Sequence, residues 1–302
     1  MVTAAFEGVF CPSITVTGDD GSIDYELWGR HLDHLADAGM NGVLLFGSIG
    51  EFYAYSLESK QEALAFAVNR VAGRMKVFSG VGGTDMDEVL AFTHYAETVG
   101  ADAVVAVSPY YFGPSEQTAS VYFAQIAQAT SLPVLLYNFP PRTGMDLSPE
   151  LIAQLAADHS NILGLKDTVD TISHTRKVIA AVRKVSPSFS VLSGFDEYYT
   201  PNRIAGGNGV LCGLTNVEPE TFVRMHAAWQ GGDYTTALAC ARRINALMAV
   251  YDQADLFISA IKAAVKIKGL PVSTAIKEPA TQIRAEQVRA IEGIITAADQ
   301  LG

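Results

Sequence analysis

Short apolar runs rich in β-branched residues alternate along the chain with longer stretches in which apolar positions recur every three to four residues. The runs Val9–Ile14, Gly42–Phe46, Val77–Gly80, Ala103–Val107, Val134–Tyr137, Ile162–Leu165, Ser190–Leu192 and Gly209–Cys212 read as strands. Tyr25–Ala38, Leu57–Val71, Met86–Val99, Glu116–Ala129 and Pro149–Ala157 read as amphipathic helices between them. The strands are apolar throughout, the pattern of a parallel sheet covered on both faces. Eight such units in about 215 residues predict an α/β fold, a (β/α)8 TIM barrel with right-handed crossovers. A doubly wound sheet would place ligands at strand ends too. After Asn216 the periodic stretches Val217–Gln230, Asp233–Tyr251, Asp255–Lys268 and Ala285–Ala298 are all helical. The predicted organisation is a barrel catalytic domain over residues 1–230 and a C-terminal helical appendage over 231–302 packed on it.

In such a barrel the active site lies at the C-terminal ends of the strands. The polar residues there are Ser48, Tyr110, Tyr111, Tyr137, Lys166 and Asp196. Lys166 ends the run Ile162-Leu163-Gly164-Leu165, and Tyr137 ends Val134-Leu135-Leu136. Burial disfavours the charged form of a lysine, and only the neutral amine attacks a carbonyl to form an imine. This placement therefore points to an imine-forming enzyme. A salt-bridged or snorkelling lysine is the plainer alternative, and Tyr137, at the mouth of the neighbouring strand, weighs against it.

Charge and composition narrow the partners. A net charge of −11 over 302 residues argues against nucleic acid, which demands a basic face. No apolar stretch approaches the ~18 residues of a membrane span, and the N-terminus lacks the pattern of a signal peptide. Cys11, Cys212 and Cys240 are scattered without metal-ligand spacing, which suits a reducing, cytoplasmic setting. The turn Gly47-Ser48-Ile49-Gly50-Glu51 could present backbone N–H groups to an anion or merely allow a tight turn. Gly80-Val81-Gly82-Gly83 reads as an ordinary barrel loop. His31 and His34 share a helix face but lack a third ligand, and read as exposed polar residues.

Taken together, Gly47-Ser48-Ile49-Gly50-Glu51, Pro109-Tyr110-Tyr111, Tyr137-Asn138-Phe139-Pro140, Gly164-Leu165-Lys166-Asp167-Thr168 and Gly194-Phe195-Asp196-Glu197 resemble the dihydrodipicolinate synthase and N-acetylneuraminate lyase superfamily of class I pyruvate aldolases. The resemblance runs from Gly8 to about Val272. It implies that Lys166 is the Schiff-base lysine and Tyr137 the acid/base tyrosine. Ser48 would link Tyr137 to a second tyrosine, Tyr111, reaching in from a neighbouring subunit of a homodimer or homotetramer. The backbone at Ser48 and Ile49 would hold the pyruvyl carboxylate, and Leu211 would contribute a backbone contact.

Within the superfamily, Lys166-Asp167-Thr168 and Tyr137-Asn138-Phe139-Pro140 most resemble 2-keto-3-deoxygluconate-type aldolases. Gly194-Phe195-Asp196-Glu197 is similar to the polyol-binding stretch of the neuraminate lyases, where carboxylates can accept hydrogen bonds from sugar hydroxyls. Thr168 joins Gly194, Asp196 and Glu197 as an expected substrate-binding residue. Arg142 matches the arginine that synthases direct at aspartate semialdehyde, and Ile49 replaces a hydroxyl residue. Leu57 and Lys60 stand where lysine-inhibited synthases carry histidines, which argues against feedback by lysine. The resemblance implies reversible cleavage of a 2-keto-3-deoxy sugar acid to pyruvate and an aldehyde, with neither metal nor organic cofactor. The alternatives are 4-hydroxy-tetrahydrodipicolinate synthesis, dehydration of a 2-keto-3-deoxy acid, or a catalytically silent keto-acid sensor.

Overall fold

Side-chain parity along eight short strands decides the architecture of the computed structural model, which describes residues 4–301. The strands are β1 (Gly8–Pro12), β2 (Gly42–Leu45), β3 (Lys76–Gly80), β4 (Ala103–Val107), β5 (Val134–Asn138), β6 (Ile162–Asp167), β7 (Ser190–Ser193) and β8 (Gly209–Leu211). All neighbours pair in parallel, and β1 pairs with β8 to close the barrel. One parity packs against the surrounding helices, as Val43, Val104, Leu136 and Val191 do. The other fills the interior, where Phe10, Leu44, Phe78, Leu135, Leu192 and Leu211 meet. Phe6, Phe10 and Phe78 pack ring on ring at centroid separations of 5.0 to 6.5 Å. This apolar filling makes the barrel a core rather than a pore.

The helices are α1 (Tyr25–Asp37), α2 (Leu57–Val71), α3 (Met86–Thr98), α4 (Glu116–Gln128), α5 (Pro140–Thr143), α6 (Pro149–Asp158), α7 (Ile172–Val182), α8 (Tyr199–Ile204), α9 (Pro219–Gln230), α10 (Tyr234–Leu247), α11 (Phe257–Ile267) and α12 (Ala285–Asp299). Asp24, Ser56, Asp85, Ser115 and Ser148 cap the N-termini of α1, α2, α3, α4 and α6 by accepting backbone N–H bonds. These caps explain why the predicted starts of those helices agree with the observed ones. His31, read from sequence as exposed, is instead buried in α1 with Nε2 3.0 Å from Asn216 Oδ1. Burial holds its imidazole down at about 4. His34 alone of the two reaches solvent.

An ion network joins the end of the barrel to the helices that follow. Glu218 accepts from Arg243 at 2.7 and 3.0 Å and pairs with Lys268 at 2.9 Å, while Arg243 also donates to the carbonyl of Ala298 and to Asp299. Burial works against the Glu218 carboxylate, but the hydrogen bonds from Arg243, Lys268 and Thr221 win and hold it down at about 2. Its contribution is therefore complete above the ordinary glutamate value near ~4.3 and is lost as pH falls toward about 2. Replacing Arg243 by Met leaves Glu218 buried with a weakened partner set and should cost about 3 kcal/mol in a urea titration. An unchanged midpoint would mean that the network does not hold the appendage.

Candidate active site

One extra residue in β6 aims the site. Val134 pairs with Ile162, but Leu135 pairs with Gly164, so Leu163 is bulged out of the β5–β6 ladder. Paired residues share a face, and a single inserted residue reverses the parity of everything beyond it. Ile162 thus packs on the helices, whereas Gly164 and Lys166 share the interior side with Leu135 and Tyr137. Tyr137 and Lys166 are directly opposed on adjacent strands, as the consecutive runs that they end had implied. Lys166 Nζ lies 4.2 Å from the centroid of the Tyr137 ring, and both residues are buried. Phe139 stacks on that ring at 5.8 Å and 17°. The Tyr137 hydroxyl is 3.3 Å from Ser48 Oγ.

These groups open into a cavity of about 720 Å³ at the C-terminal end of the barrel. Ser48, Ile49, Tyr137 and Lys166 line it. Arg142, Thr168, Gly194 and Asp196 line it too, together with Tyr251 and Phe257 of the appendage. Thr168 Oγ1 is buried and has no protein partner among the described residues. Gly194 makes room for it, since a Cβ there would lie 1.8 Å from that oxygen.

The turn after β2 is held under constraint. Phe46 and Glu51, which bracket it, both sit in left-handed backbone at φ 54°, a conformation that persists in such residues only where the surroundings enforce it. At Glu51 the enforcement comes from Lys262 of α11, fully buried, whose Nζ donates to Glu51 Oε1 at 2.6 Å and to the Ala275 carbonyl at 2.8 Å. The Lys277 N–H donates to the other Glu51 oxygen at 2.9 Å. The appendage therefore clamps the segment that presents Ser48 and Ile49.

A second polar network lies behind Lys166. Asp167, buried on the helix-facing side, accepts from Thr175 at 2.7 Å and from Asn138 at 3.2 Å, and its Oδ2 is 3.1 Å from His174 Nδ1. His174 Nε2 is 3.0 Å from the Leu147 carbonyl, and Asn138 also donates to Asp146. The group ties β5, β6 and α7 to Asp146 and Leu147, just beyond the helix α5 that carries Arg142.

Three expected site residues lie off the cavity wall. Leu211 is sealed in the barrel interior, and Cys212 and Gly213 form the wall at that strand. Glu197 is half-buried beside Asp170 and Asp196, away from the lining. Tyr111 is 98% exposed at φ 77° and does not meet Ser48 or Tyr137 within the chain. Tyr251, Phe257, Lys262 and His174 escaped the sequence reading. A lysine inside the apolar stretch Ile258–Val265 was the available clue, because a buried ammonium needs a partner. Among the described residues, no cluster of His, Cys, Asp and Glu could hold a metal ion, and no helix is long and apolar enough to cross a membrane.

The sequence model of the dihydrodipicolinate synthetase family matches residues 5–298. YjhH of Escherichia coli K12, provisionally named a 2-dehydro-3-deoxy-D-pentonate aldolase, is 35% identical over 97% of both chains. YagE of the same strain, provisionally named a 2-dehydro-3-deoxy-D-gluconate aldolase, is 36% identical over 93% of both. The crystal structure of YagE with pyruvate superposes with a TM-score of 0.94, covering 99% of each chain at 34% identity. A 4-hydroxy-tetrahydrodipicolinate synthase of Methanosphaerula palustris is 33% identical over 97% of this chain and 100% of its own.

The His174 network makes a prediction in pH. Burial disfavours the imidazolium, but the hydrogen bond and charge of Asp167, the Leu147 carbonyl and Asp146 outweigh it and raise His174 to about 8. The stabilisation is complete below the ordinary histidine value near ~6.5 and lost as pH rises through about 8. Thermal midpoints measured across that window should fall in the wild type and stay flatter in His174→Gln. Equal slopes in the two proteins would remove His174 as the source.

Proposed function

The chain belongs to the dihydrodipicolinate synthetase family, and from that premise we propose that it is a Schiff-base aldolase cleaving a 2-keto-3-deoxy sugar acid to pyruvate and an aldehyde. The observation that carries this reading is the line of Lys166 Nζ, the Tyr137 ring 4.2 Å away, and Ser48 Oγ 3.3 Å from the Tyr137 hydroxyl, all on one cavity wall. Lys166, in its neutral form, attacks the C2 ketone. Tyr137 passes protons as the carbinolamine loses water to give the imine. The protonated imine then draws electrons from the C3–C4 bond while Tyr137, as phenolate, takes the C4 hydroxyl proton. The aldehyde departs, C3 of the enamine is protonated, and water releases pyruvate from Lys166. Backbone N–H groups of the Ser48–Ile49 turn hold the C1 carboxylate, a task that survives the exchange of a hydroxyl residue for Ile49. No metal or organic cofactor is needed.

Ser48 Oγ has a second hydrogen-bonding direction to offer. In this reading Tyr111 of a partner subunit takes it, which makes the active enzyme a homo-oligomer. The near-complete exposure of Tyr111, beside the exposed Phe112, supports that assignment. The unpartnered Thr168 hydroxyl and the names of YjhH and YagE favour a hydroxylated substrate. Arg142 at the cavity rim favours a second reading, condensation of pyruvate with aspartate semialdehyde, whose extra carboxylate would meet that guanidinium.

Pyruvate release from 2-keto-3-deoxygluconate, followed with a lactate dehydrogenase couple, should be prompt in the wild type and absent in Lys166→Ala. Tyr137→Phe should lower kcat on the order of 10²–10⁴-fold with the fold retained. No release, together with consumption of pyruvate and aspartate semialdehyde, would establish the second reading instead.

A further inference from the structure

Asp196 lines the cavity, yet its oxygens are already engaged. Oδ1 accepts from the Leu214 N–H at 2.7 Å, and Oδ2 accepts from the Tyr251 hydroxyl at 2.7 Å. Asp196 as a whole is 2% exposed. A group so placed is poorly available to substrate hydroxyls, but it does something definite to its partner. The phenolic proton of Tyr251 is directed at Asp196, so the oxygen it leaves at the cavity wall can act only as an acceptor.

Two further features fix that phenol. Phe257 packs against the Tyr251 ring at 5.6 Å and 60°, limiting its swing. Gly213 clears its path: a Cβ there would lie 2.3 Å from the Tyr251 hydroxyl and 2.5 Å from Ile49 Cδ1. Burial and the charge of Asp196 hold the Tyr251 hydroxyl well above the ordinary phenol range, so it keeps its proton and continues to donate. The same cavity wall carries the unpartnered Thr168 Oγ1.

We infer that Tyr251, oriented by Asp196, is a specificity-determining residue that accepts a hydrogen bond from a hydroxyl on the aldehyde half of the substrate. Asp196 is a positioning residue that acts through Tyr251. The inference rests on the aldolase reading above and adds a residue from the helical appendage to it. A rigid acceptor with its own proton committed selects for a hydroxyl donor and leaves a deoxygenated analogue without that bond.

The test compares the full-length enzyme with Tyr251→Phe and Asp196→Asn on two substrates: 2-keto-3-deoxygluconate and 2-keto-4-hydroxyvalerate, which lacks the distal hydroxyls. Both variants should lower the ratio of kcat/KM values, sugar acid over analogue, roughly 10-fold or more, with the loss concentrated on the sugar acid. The amount of pyruvate trapped on the enzyme by borohydride reports the Schiff base separately. If Tyr251 only staples the appendage to the barrel, both substrates decline in step and the ratio is preserved, which overturns the inference alone. If the wild type cleaves neither substrate while still trapping pyruvate, the aldolase reading falls and takes this inference with it.

Discussion

The bulge at Leu163 is the constraint on which the site depends. Without it, β6 would continue in the parity set by Ile162, which packs on the helices, and Lys166 would point outward with it. The interior position opposite Tyr137 would then fall to Leu165, an aliphatic side chain with no chemistry to offer. One extra residue thus converts a uniformly apolar strand into one that delivers an amine to the barrel mouth. It also turns Asp167 to the helix side, where Asn138, Thr175 and His174 can satisfy it.

The second organising feature is the helical appendage, which works on the site from above. Lys262 reaches Glu51 through fully buried surroundings and keeps a strained turn in place. Paired burial of this kind is no strong source of net stability, but it specifies one backbone arrangement at the point where Ser48 meets Tyr137. Tyr251 and Phe257 complete the cavity from the same region. Barrel and appendage share one site, so the boundary drawn near residue 230 separates secondary-structure styles more than functions.

Much of this was readable from residue order. Eight apolar runs ending in polar residues announced the barrel and the end that carries chemistry, because a strand buried on both faces tolerates polar groups only at its mouth. Lys166, Tyr137 and Ser48 followed from that rule. The bulge could not be read, since Ile162-Leu163-Gly164-Leu165 is apolar on either face and parity leaves no trace in such a run. Helix α7 carries an apolar stripe of Val178, Ile179 and Val182, but its first turn breaks the pattern by turning His174 and Thr175 inward to Asp167. Asp196, expected from sequence to accept from substrate hydroxyls, accepts within the protein from Leu214 and Tyr251. Both partners lie far enough along the chain that no local pattern links them to Asp196.

The central claim is that Lys166 forms the imine, and it is tested most directly by reducing the enzyme with borohydride in the presence of pyruvate and mapping the adduct by peptide mass spectrometry. The account predicts a single pyruvate-derived modification on the peptide containing Lys166, absent when pyruvate or borohydride is withheld. A modification on another lysine, or none despite measurable turnover, would contradict it.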